Sequence, residues 1–435
     1  MKYLAYQDVR EQVYCELTET GLPVYVVRKP GYVTKFAYLQ VGFGGGDLAA
    51  DYASERYAFP EGTAHFMEHK MFDNPDGTNS SELFAANGAS CNAVTAAEST
   101  AFYFSCTEKF EENLKTLLKT VSEPHFTGES VEKERGIIGQ EIKMRGDQPG
   151  NIARRGLTEL LVRSHPLKLD VAGTEESIAE ITPELLYLCH RIYYTPSNMC
   201  LVIVGDFGPD EIFEFVCKNF SLKSAVPPQR AGKTDETFAP LAARGEKPFA
   251  SPLPVFAIGN VAPSPERGRE LMKFSAKSSI ASAAILHTSA RFLPELYAAG
   301  KIFGISAMPE AYSGLYFNGL LCTAPDPEVV FTELTDEFTR AAKDGVDSDM
   351  FRRVKKASFG QHIRGFDSYS GIAQTIASWR RHGFDGLRVP EVVDAVTEDE
   401  VNAQLRDFFK PESFAMFVLK PQNAPDFASM FGGAV

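Results

Sequence analysis

Three short segments in the first half of the chain recur in the same order in the second half, about 215 residues later. Two of them flank a helical pattern that leads into a short apolar run, and the third lies within a charged helical pattern. The recurring positions are Thr182 and Thr397, Pro196 and Pro411, and Gly139 and Gly360. A repeat of this length is too long for a solenoid and favours a duplicated domain.

A proline-rich segment between the two halves predicts a linker at residues 224–254, because its prolines interrupt both helical and strand periodicity. The predicted domains are therefore residues 1–223 and residues 255–435. Each half mixes β-type runs with amphipathic helical patterns, which predicts an α+β fold. The clearest runs are strands at 23–27, 35–41 and 201–205 and helices near 108–121, 129–144 and 183–192.

The segment 62–72 contains the pattern H-x-x-E-H, formed by His65, Glu68 and His69. Histidines four residues apart lie on one face of a helix, about one turn from each other. That spacing suits two ligands of one tetrahedral zinc ion. Glu68 can face the same site, where a carboxylate can take a proton from a zinc-bound water whose pKa is lowered to about 7. The pattern is the inverse of the zinc-binding motif H-E-x-x-H.

A catalytic zinc site needs a third protein ligand and an open position. Glu134 and Glu141 are candidates, because residues seven apart share one helix face. Ile137, Ile138 and Ile142 predict that this helix packs inward. Two glutamates on a partly buried face favour a bound cation, whereas a solvated charged face is the ordinary alternative. The spacing alone does not choose between Glu134 and Glu141.

These segments together resemble the pitrilysin/insulinase family of zinc metallopeptidases, over nearly the whole first half of the chain. The matching segments are 65–69, 92–95, 100–103, 134–141, 173–178, 194–199 and 204–206. The resemblance implies that Glu141 is the third metal ligand and that Glu134 supports the site by orienting a ligand. Glu68 would activate the water. One zinc ion per chain is expected, because the second half contains no H-x-x-E-H.

The resemblance also implies a peptide substrate that pairs, as an added strand, with an edge strand of the zinc-bearing domain. That strand maps to five small residues after a predicted turn: Ala89, Ser90, Cys91, Asn92 and Ala93. Small side chains would let a ligand backbone approach closely. From the residues alone, an ordinary hairpin strand is the alternative interpretation.

The second half departs from the family pattern. The family carries an Arg followed seven residues later by a Tyr, which grip the substrate carbonyl, but Tyr297 and Gly304 occupy these positions here. Loss of an oxyanion-stabilising donor costs ~100- to 1000-fold in rate. The chain is therefore interpreted as the zinc-bearing subunit of a heterodimer whose sister subunit supplies the Arg and Tyr. A homodimer is less favoured.

The sequence thus predicts two homologous α+β domains, each an antiparallel sheet packed with helices, closing like a clamshell. The predicted activity is that of a zinc metalloendopeptidase that hydrolyses short unstructured peptides inside the closed chamber. One alternative is a non-catalytic structural or chaperone-like subunit of the same family. The intact metal motif argues against it, and the missing Arg and Tyr argue for it. Another alternative is a zinc hydrolase that acts on a different class of substrate.

Composition bears on partners and location. With 44 Lys and Arg against 57 Asp and Glu, the net charge is −13, and without a basic patch a nucleic-acid partner is not expected. No signal peptide and no apolar stretch of ~20 residues is found, so no membrane partner is expected either. Seven widely spaced cysteines without C-x-x-C predict buried, unpaired thiols, and reduced thiols predict a cytoplasmic location.

The glycine-rich segment 42–47 fails the phosphate-loop patterns and is interpreted as a flexible turn.

Overall fold

The computed structural model describes residues 1–6, 9–230 and 236–422, which form a mixed assembly of strands and helices. The strands are β1 (Lys2–Leu4), β2 (Gln12–Leu17), β3 (Pro23–Arg28), β4 (Lys35–Val41), β5 (Ala49–Tyr52), β6 (Glu55–Ala58), β7 (Ser90–Thr95), β8 (Thr100–Cys106), β9 (Met199–Gly205), β10 (Gln229–Arg230), β11 (Arg244–Phe249), β12 (Val255–Pro263), β13 (Gly304–Tyr312), β14 (Leu315–Thr323) and β15 (Ala415–Pro421). The α-helices are α1 (Thr63–Lys70), α2 (Ser80–Ala86), α3 (Phe110–Ser122), α4 (Gly128–Gly146), α5 (Pro149–Leu161), α6 (Glu175–Ala179), α7 (Pro183–Tyr193), α8 (Pro209–Asn219), α9 (Gly268–Leu286), α10 (Phe292–Ala298), α11 (Pro327–Asp344), α12 (Ser348–Gly365), α13 (Tyr369–Arg381), α14 (Val389–Asp394) and α15 (Glu398–Phe408).

The chain forms two compact units, and each unit includes a helix from the other half of the sequence. Unit 1 comprises Met1–Lys143, Leu169–Gly232 and Ile363–Arg388, and unit 2 comprises Met144–Lys168, Lys233–His362 and Val389–Val435. Helix α5 therefore belongs to unit 2, and helix α13 belongs to unit 1. The division at 1–223 and 255–435 stays a prediction of where the two sequence repeats lie.

The main sheet of unit 1 has the order β1-β2-β3-β9-β4-β8-β7, and helices cover both of its faces. Strand β9 is buried at every position. Its Leu201 and Ile203 join a core that includes α1, α3 and α7, whereas Val202 and Val204 pack with Ile376 of α13. A strand covered on both sides is apolar at consecutive positions, which explains the unbroken run in the sequence. A smaller sheet, β10-β5-β6, completes the strands of this unit among the described residues.

The sheet of unit 2 repeats the arrangement of unit 1. Its order is β11-β15-β12-β14-β13, and β11 pairs with β15 in parallel as β3 does with β9. Helix α5 packs on β12 and β15, as α13 packs on β4 and β9. Gly156 of α5 permits this close packing, because a Cβ there would lie 2.4 Å from the ring of Phe417.

The two units confirm the predicted α+β fold with two homologous domains. The repeated threonines are equivalent N-caps: Thr182 accepts a hydrogen bond from the first turn of α7, and Thr397 does so for α15. Pro196 and Pro411 each begin a short 3-10 turn before β9 and β15. The sheets differ from the prediction in one respect, since each contains one parallel pair among its antiparallel strands.

Several local features differ from expectation. Residues 224–254 include β11, which pairs with β15 along its whole length. The glycine-rich turn at 42–47 is mostly buried, because it packs against the loop between β7 and β8. Cys217 is exposed rather than buried.

Among the helices of the described residues, none combines the length and apolar character needed to span a bilayer.

Candidate metal centre

Helix α1 carries the H-x-x-E-H motif and begins at a glycine that the local geometry requires. Gly62 precedes the helix with φ of 86°, and a Cβ there would lie 2.5 Å from the carbonyl oxygen of Ala172. Phe66 and Met67 of α1 are fully buried in the core of unit 1. His65, Glu68 and His69 share the opposite side of the helix, as their spacing predicts.

Helix α4 brings two glutamates to the histidines. Arg135 fixes this helix, because its Nε and Nη2 donate hydrogen bonds to the carbonyls of Ile178 and Ile181, at 3.2 and 2.9 Å. Ile138 is fully buried, as expected for an inward-packing face. Ile137 is half exposed, so that part of the prediction is wrong. Consecutive residues lie about 100° apart around a helix, so Ile137 can be exposed while Ile138 is buried.

The two histidines and Glu141 converge on one point. Nε2 of His65 lies 3.5 Å from Oε1 of Glu141, and Nε2 of His69 lies 3.7 Å from Oε2 of the same carboxylate. The two imidazole rings are 4.6 Å apart between centroids. Candidate ligand atoms of all three residues fall within 4.8 Å of one another. No other group of three or more His, Cys, Asp or Glu within the described ranges is placed to hold a metal ion.

This donor set fits a zinc ion. Zinc bonds of about 2.1 Å in tetrahedral geometry place two ligand atoms about 3.4 Å apart. The separations of 3.5 and 3.7 Å between histidine nitrogens and the Glu141 carboxylate are close to this value. Two imidazoles and one carboxylate also leave one tetrahedral position open, as in catalytic rather than structural zinc sites.

Glu134 contacts the far side of one of these histidines. Its Oε1 lies 2.9 Å from Nδ1 of His69. A hydrogen bond here requires Nδ1 to carry the proton, which leaves Nε2 as a lone-pair donor. Burial alone would lower the pKa of His69, but the hydrogen bond and charge of Glu134, with Glu68 and Glu141, raise it overall. These three carboxylates therefore favour a positive charge on His69, whether it comes from a proton or from a metal ion on Nε2.

Glu68 lies beside this group and is held by a residue whose role the sequence analysis did not predict. The hydroxyl of Thr95 donates a hydrogen bond of 2.5 Å to Oε2 of Glu68. Burial raises the pKa of Glu68, although the Thr95 hydroxyl and the charge of His69 act in the opposite direction. A carboxyl group with a raised pKa is suited to accept a proton near neutral pH. Tyr194, also buried, is near enough that the charge of Glu68 raises its pKa further, after the larger effect of burial.

The predicted substrate strand lies at the edge of the main sheet of unit 1. Residues 90–93 fall within β7, which pairs with β8 on one side only among the described strands, whereas Ala89 precedes the strand. The N–H of Ala93 donates to the Oδ1 of its neighbour Asn92, at 2.9 Å. That N–H therefore points to the side of β7 opposite β8. This is the side on which an added strand would pair. Helix α1 packs against β7, so the strand and the metal group belong to one local structure.

Tyr297 and Gly304, which the sequence analysis matches to the family's Arg and Tyr, are both in unit 2. Tyr297 is on α10 with its side chain partly exposed, and Gly304 begins the edge strand β13. Tyr297 has no guanidinium to offer, and Gly304 has no side chain that could supply a phenol.

Two family patterns match the sequence. Residues 53–175 match the family described as "Insulinase (Peptidase family M16)", and residues 180–358 match "Peptidase M16 inactive domain". The first match contains His65, His69 and Glu141. The second covers most of the half in which no metal motif occurs.

Individual proteins are similar over nearly the whole chain. "Uncharacterized zinc protease YmfH" of Bacillus subtilis (strain 168) is 29% identical over 429 residues, which cover 97% of this chain and 100% of that protein. The crystal structure of a putative M16-like peptidase from Alicyclobacillus acidocaldarius superposes with a TM-score of 0.91 at 28% identity, over 96% of this chain and 100% of that one. The structure of pitrilysin has the same fold, with a TM-score of 0.76 at 17% identity over 97% of this chain and 46% of pitrilysin.

Proposed function

The chain belongs to the insulinase family of peptidases (family M16), and on this basis we propose that it is a zinc metalloendopeptidase. The observation that carries the proposal is the convergence of His65, His69 and Glu141 with Glu68 beside them. A purely structural relative would have no need of this combination. The similarity to a protein named as a zinc protease over 97% of the chain supports the same choice.

In the proposed reaction His65, His69 and Glu141 would hold the zinc ion. When bound, zinc supplies Lewis-acid polarisation of the substrate carbonyl and a water of lowered pKa. Glu68 accepts a proton from the attacking water at its carboxylate and then delivers it to the nitrogen of the leaving amine. Glu134 keeps the proton of His69 on Nδ1, so that Nε2 remains available as a ligand.

The proposed substrate is a short, unstructured peptide that adds to the free edge of β7. Backbone pairing at an edge strand selects for extended chains and tolerates many sequences. Because Ala93 directs its N–H away from β8, a peptide strand can bond there once Asn92 releases it. The proposal also includes a closed chamber between the two domains, which would admit little besides peptides.

We further propose a heterodimer in the cytoplasm, with one zinc ion per metal-bearing chain. Support comes from the positions of Tyr297 and Gly304, which leave this chain without the Arg and Tyr of self-sufficient relatives. A sister subunit would supply these groups. Affinity purification of the tagged chain from its own organism should recover a second chain of the same family that lacks H-x-x-E-H. Recovery of this chain alone, with full activity, would exclude the heterodimer.

The activity is tested by incubating the zinc-loaded chain, alone and with any co-purified subunit, with a mixed peptide library and reading cleavage by mass spectrometry. Glu68→Gln is the matched control, because the amide keeps the size of the side chain but cannot accept the proton. Cleavage that disappears in this variant is the expected result. Absence of cleavage from both preparations, at one zinc per chain, would favour a non-catalytic subunit. Cleavage equal in the variant would exclude the assigned role of Glu68.

A further inference from the structure

The geometry points to Thr95 as the residue that positions Glu68 for proton transfer, with Thr100 and the glycine-rich turn at 42–47 as its support. This inference rests on the proposed peptidase activity. It gives a function to a threonine at the end of β7 and to a glycine-rich segment that the metal site does not itself use.

Thr95 makes a short hydrogen bond to the Glu68 carboxylate. Its hydroxyl donates a hydrogen bond of 2.5 Å to Oε2. Hydrogen bonds to an ionised carboxylate are shorter and about twice as strong as those between neutral groups. A short hydrogen bond to one oxygen restricts both the position and the rotation of the carboxylate.

Thr100 of the neighbouring strand packs against Thr95. Oγ1 of Thr100 lies 3.1 Å from Oγ1 of Thr95, and Thr100 is directly opposite Thr95 in the β7–β8 register. Thr100 is fully buried, and its own proton is donated to the carbonyl oxygen of Phe43, at 2.8 Å. Since a hydroxyl has one proton, Thr95 gives its proton to Glu68 and Thr100 gives its own to Phe43, so the two hydroxyl oxygens are in contact without a proton between them. Thr100 therefore restricts the Thr95 side chain by packing and does not compete as a donor for Glu68.

The glycine-rich turn clamps the hairpin that carries both threonines. The N–H groups of Gly45 and Gly46 donate to the carbonyls of Ala96 and Ala97, at 2.9 and 2.7 Å. Gly44 lies so close that a Cβ would be 2.4 Å from the backbone nitrogen of Ser99. Only glycine permits such an approach of two backbones. The turn therefore fixes the loop between β7 and β8, and with it the two hydroxyls.

The expected consequence is a loss in kcat rather than in KM. Thr95→Val keeps the branched shape that suits a strand but removes the hydroxyl, so the Glu68 carboxylate is left with one donor fewer. Misplacing a catalytic group by about 1 Å can cost ~100-fold in rate. We expect kcat to fall about 10- to 100-fold with KM changed less than about threefold. Thr95→Ser retains the hydroxyl and should restore kcat to within about threefold of the wild type.

Thr120→Val is the matched control. Thr120 is also buried, and its hydroxyl has no hydrogen-bond partner in the part of the chain that the structure describes. The same exchange at this position should leave kcat and KM unchanged. A Thr95→Val enzyme with wild-type kcat, or a Thr95→Ser enzyme as impaired as Thr95→Val, would overturn the inference.

Crystal structures of the zinc-loaded full-length wild type, Thr95→Val and Thr95→Ser provide a readout that does not depend on activity. The Glu68 carboxylate should occupy one orientation in the wild type and in Thr95→Ser, and should rotate or spread over several in Thr95→Val. An unchanged carboxylate in Thr95→Val would refute the positioning role. If the wild type hydrolyses no peptide, the proposed activity fails, while the structures still decide whether Thr95 orients Glu68.

Discussion

Nδ1 of His69 lies 2.9 Å from Oε1 of Glu134, while Nε2 of the same ring lies 3.7 Å from Oε2 of Glu141. One imidazole is thus held between two carboxylates that are seven residues apart on α4. The two glutamates therefore contact different nitrogens of the ring. Glu134 accepts a hydrogen bond from Nδ1, and Glu141 lies near Nε2, the nitrogen that is left to bind a metal.

Glu134→Gln should weaken zinc binding without abolishing it. The amide oxygen can still accept the hydrogen bond from Nδ1, but the negative charge that makes the imidazole a better ligand is lost. Changes of this kind cost about 10- to 100-fold in metal affinity. Competition with a chromophoric chelator measures the effect. Glu132→Gln on the same helix is the control, because Glu132 is exposed and pairs with Arg135 rather than with a histidine. Equal zinc affinity of Glu134→Gln and the wild type would contradict the role of Glu134.

Gly62→Ala should destabilise the protein more than Gly77→Ala. Both glycines have left-handed φ values, 86° and 80°, which cost a non-glycine residue about 1–2 kcal/mol. Gly77 has open space around it, whereas a Cβ at Gly62 would meet the backbone of Ala172 at 2.5 Å. The difference in the free energy of unfolding, measured with urea, isolates this overlap. Equal losses in the two variants would show that the start of α1 can shift freely.

His190 should make the protein less stable in acid. Burial lowers the pKa of His190, whose Nε2–H donates to the carbonyl of Val121 at 2.9 Å. The folded protein therefore binds this proton less readily than the unfolded chain does. The free energy of unfolding should fall as the pH decreases through about 6.5, the ordinary histidine value.

The test for this effect is urea unfolding at pH 7.5 and pH 5.5 for the wild type and His190→Gln. The variant should be less stable at pH 7.5, because it loses the ring that stacks on Tyr194. Its stability should nevertheless change less between the two pH values. Burial also lowers the pKa of His362. This histidine remains in both proteins, so its contribution to the pH dependence of stability is the same in each. An identical pH dependence in both proteins would exclude His190 as a contributor.

Local sequence patterns predicted the elements well because they depend on residues that are near one another in the chain. Strand β4 spans Lys35–Val41 as its β-type run predicts, and α4 extends only slightly beyond the predicted 129–144. The exchange of α5 and α13 between the units was not predictable, because an amphipathic stripe specifies an apolar partner but not which sheet provides it. Ile137 was misassigned for a related reason: α4 buries a narrower stripe than its isoleucines suggest.

The candidate site was predictable where its chemistry lies within one helix and less so where it depends on tertiary contacts. His65, Glu68 and His69 are recognisable from spacing alone, but the spacing left Glu134 and Glu141 equivalent. The structure distinguishes them by which ring nitrogen each approaches. Thr95 is 27 residues from Glu68, and only the packing of β7 against α1 brings its hydroxyl to the carboxylate.

The central claim, that His65, His69 and Glu141 form one zinc site, is tested most directly by measuring zinc per chain. Inductively coupled plasma mass spectrometry after dialysis against a weak chelator gives this number for the wild type and single variants. We expect one zinc for the wild type and for Glu68→Gln, and almost none for His65→Ala, His69→Ala or Glu141→Gln. A wild-type protein without zinc, or a Glu141→Gln variant that keeps a full equivalent, would contradict the account.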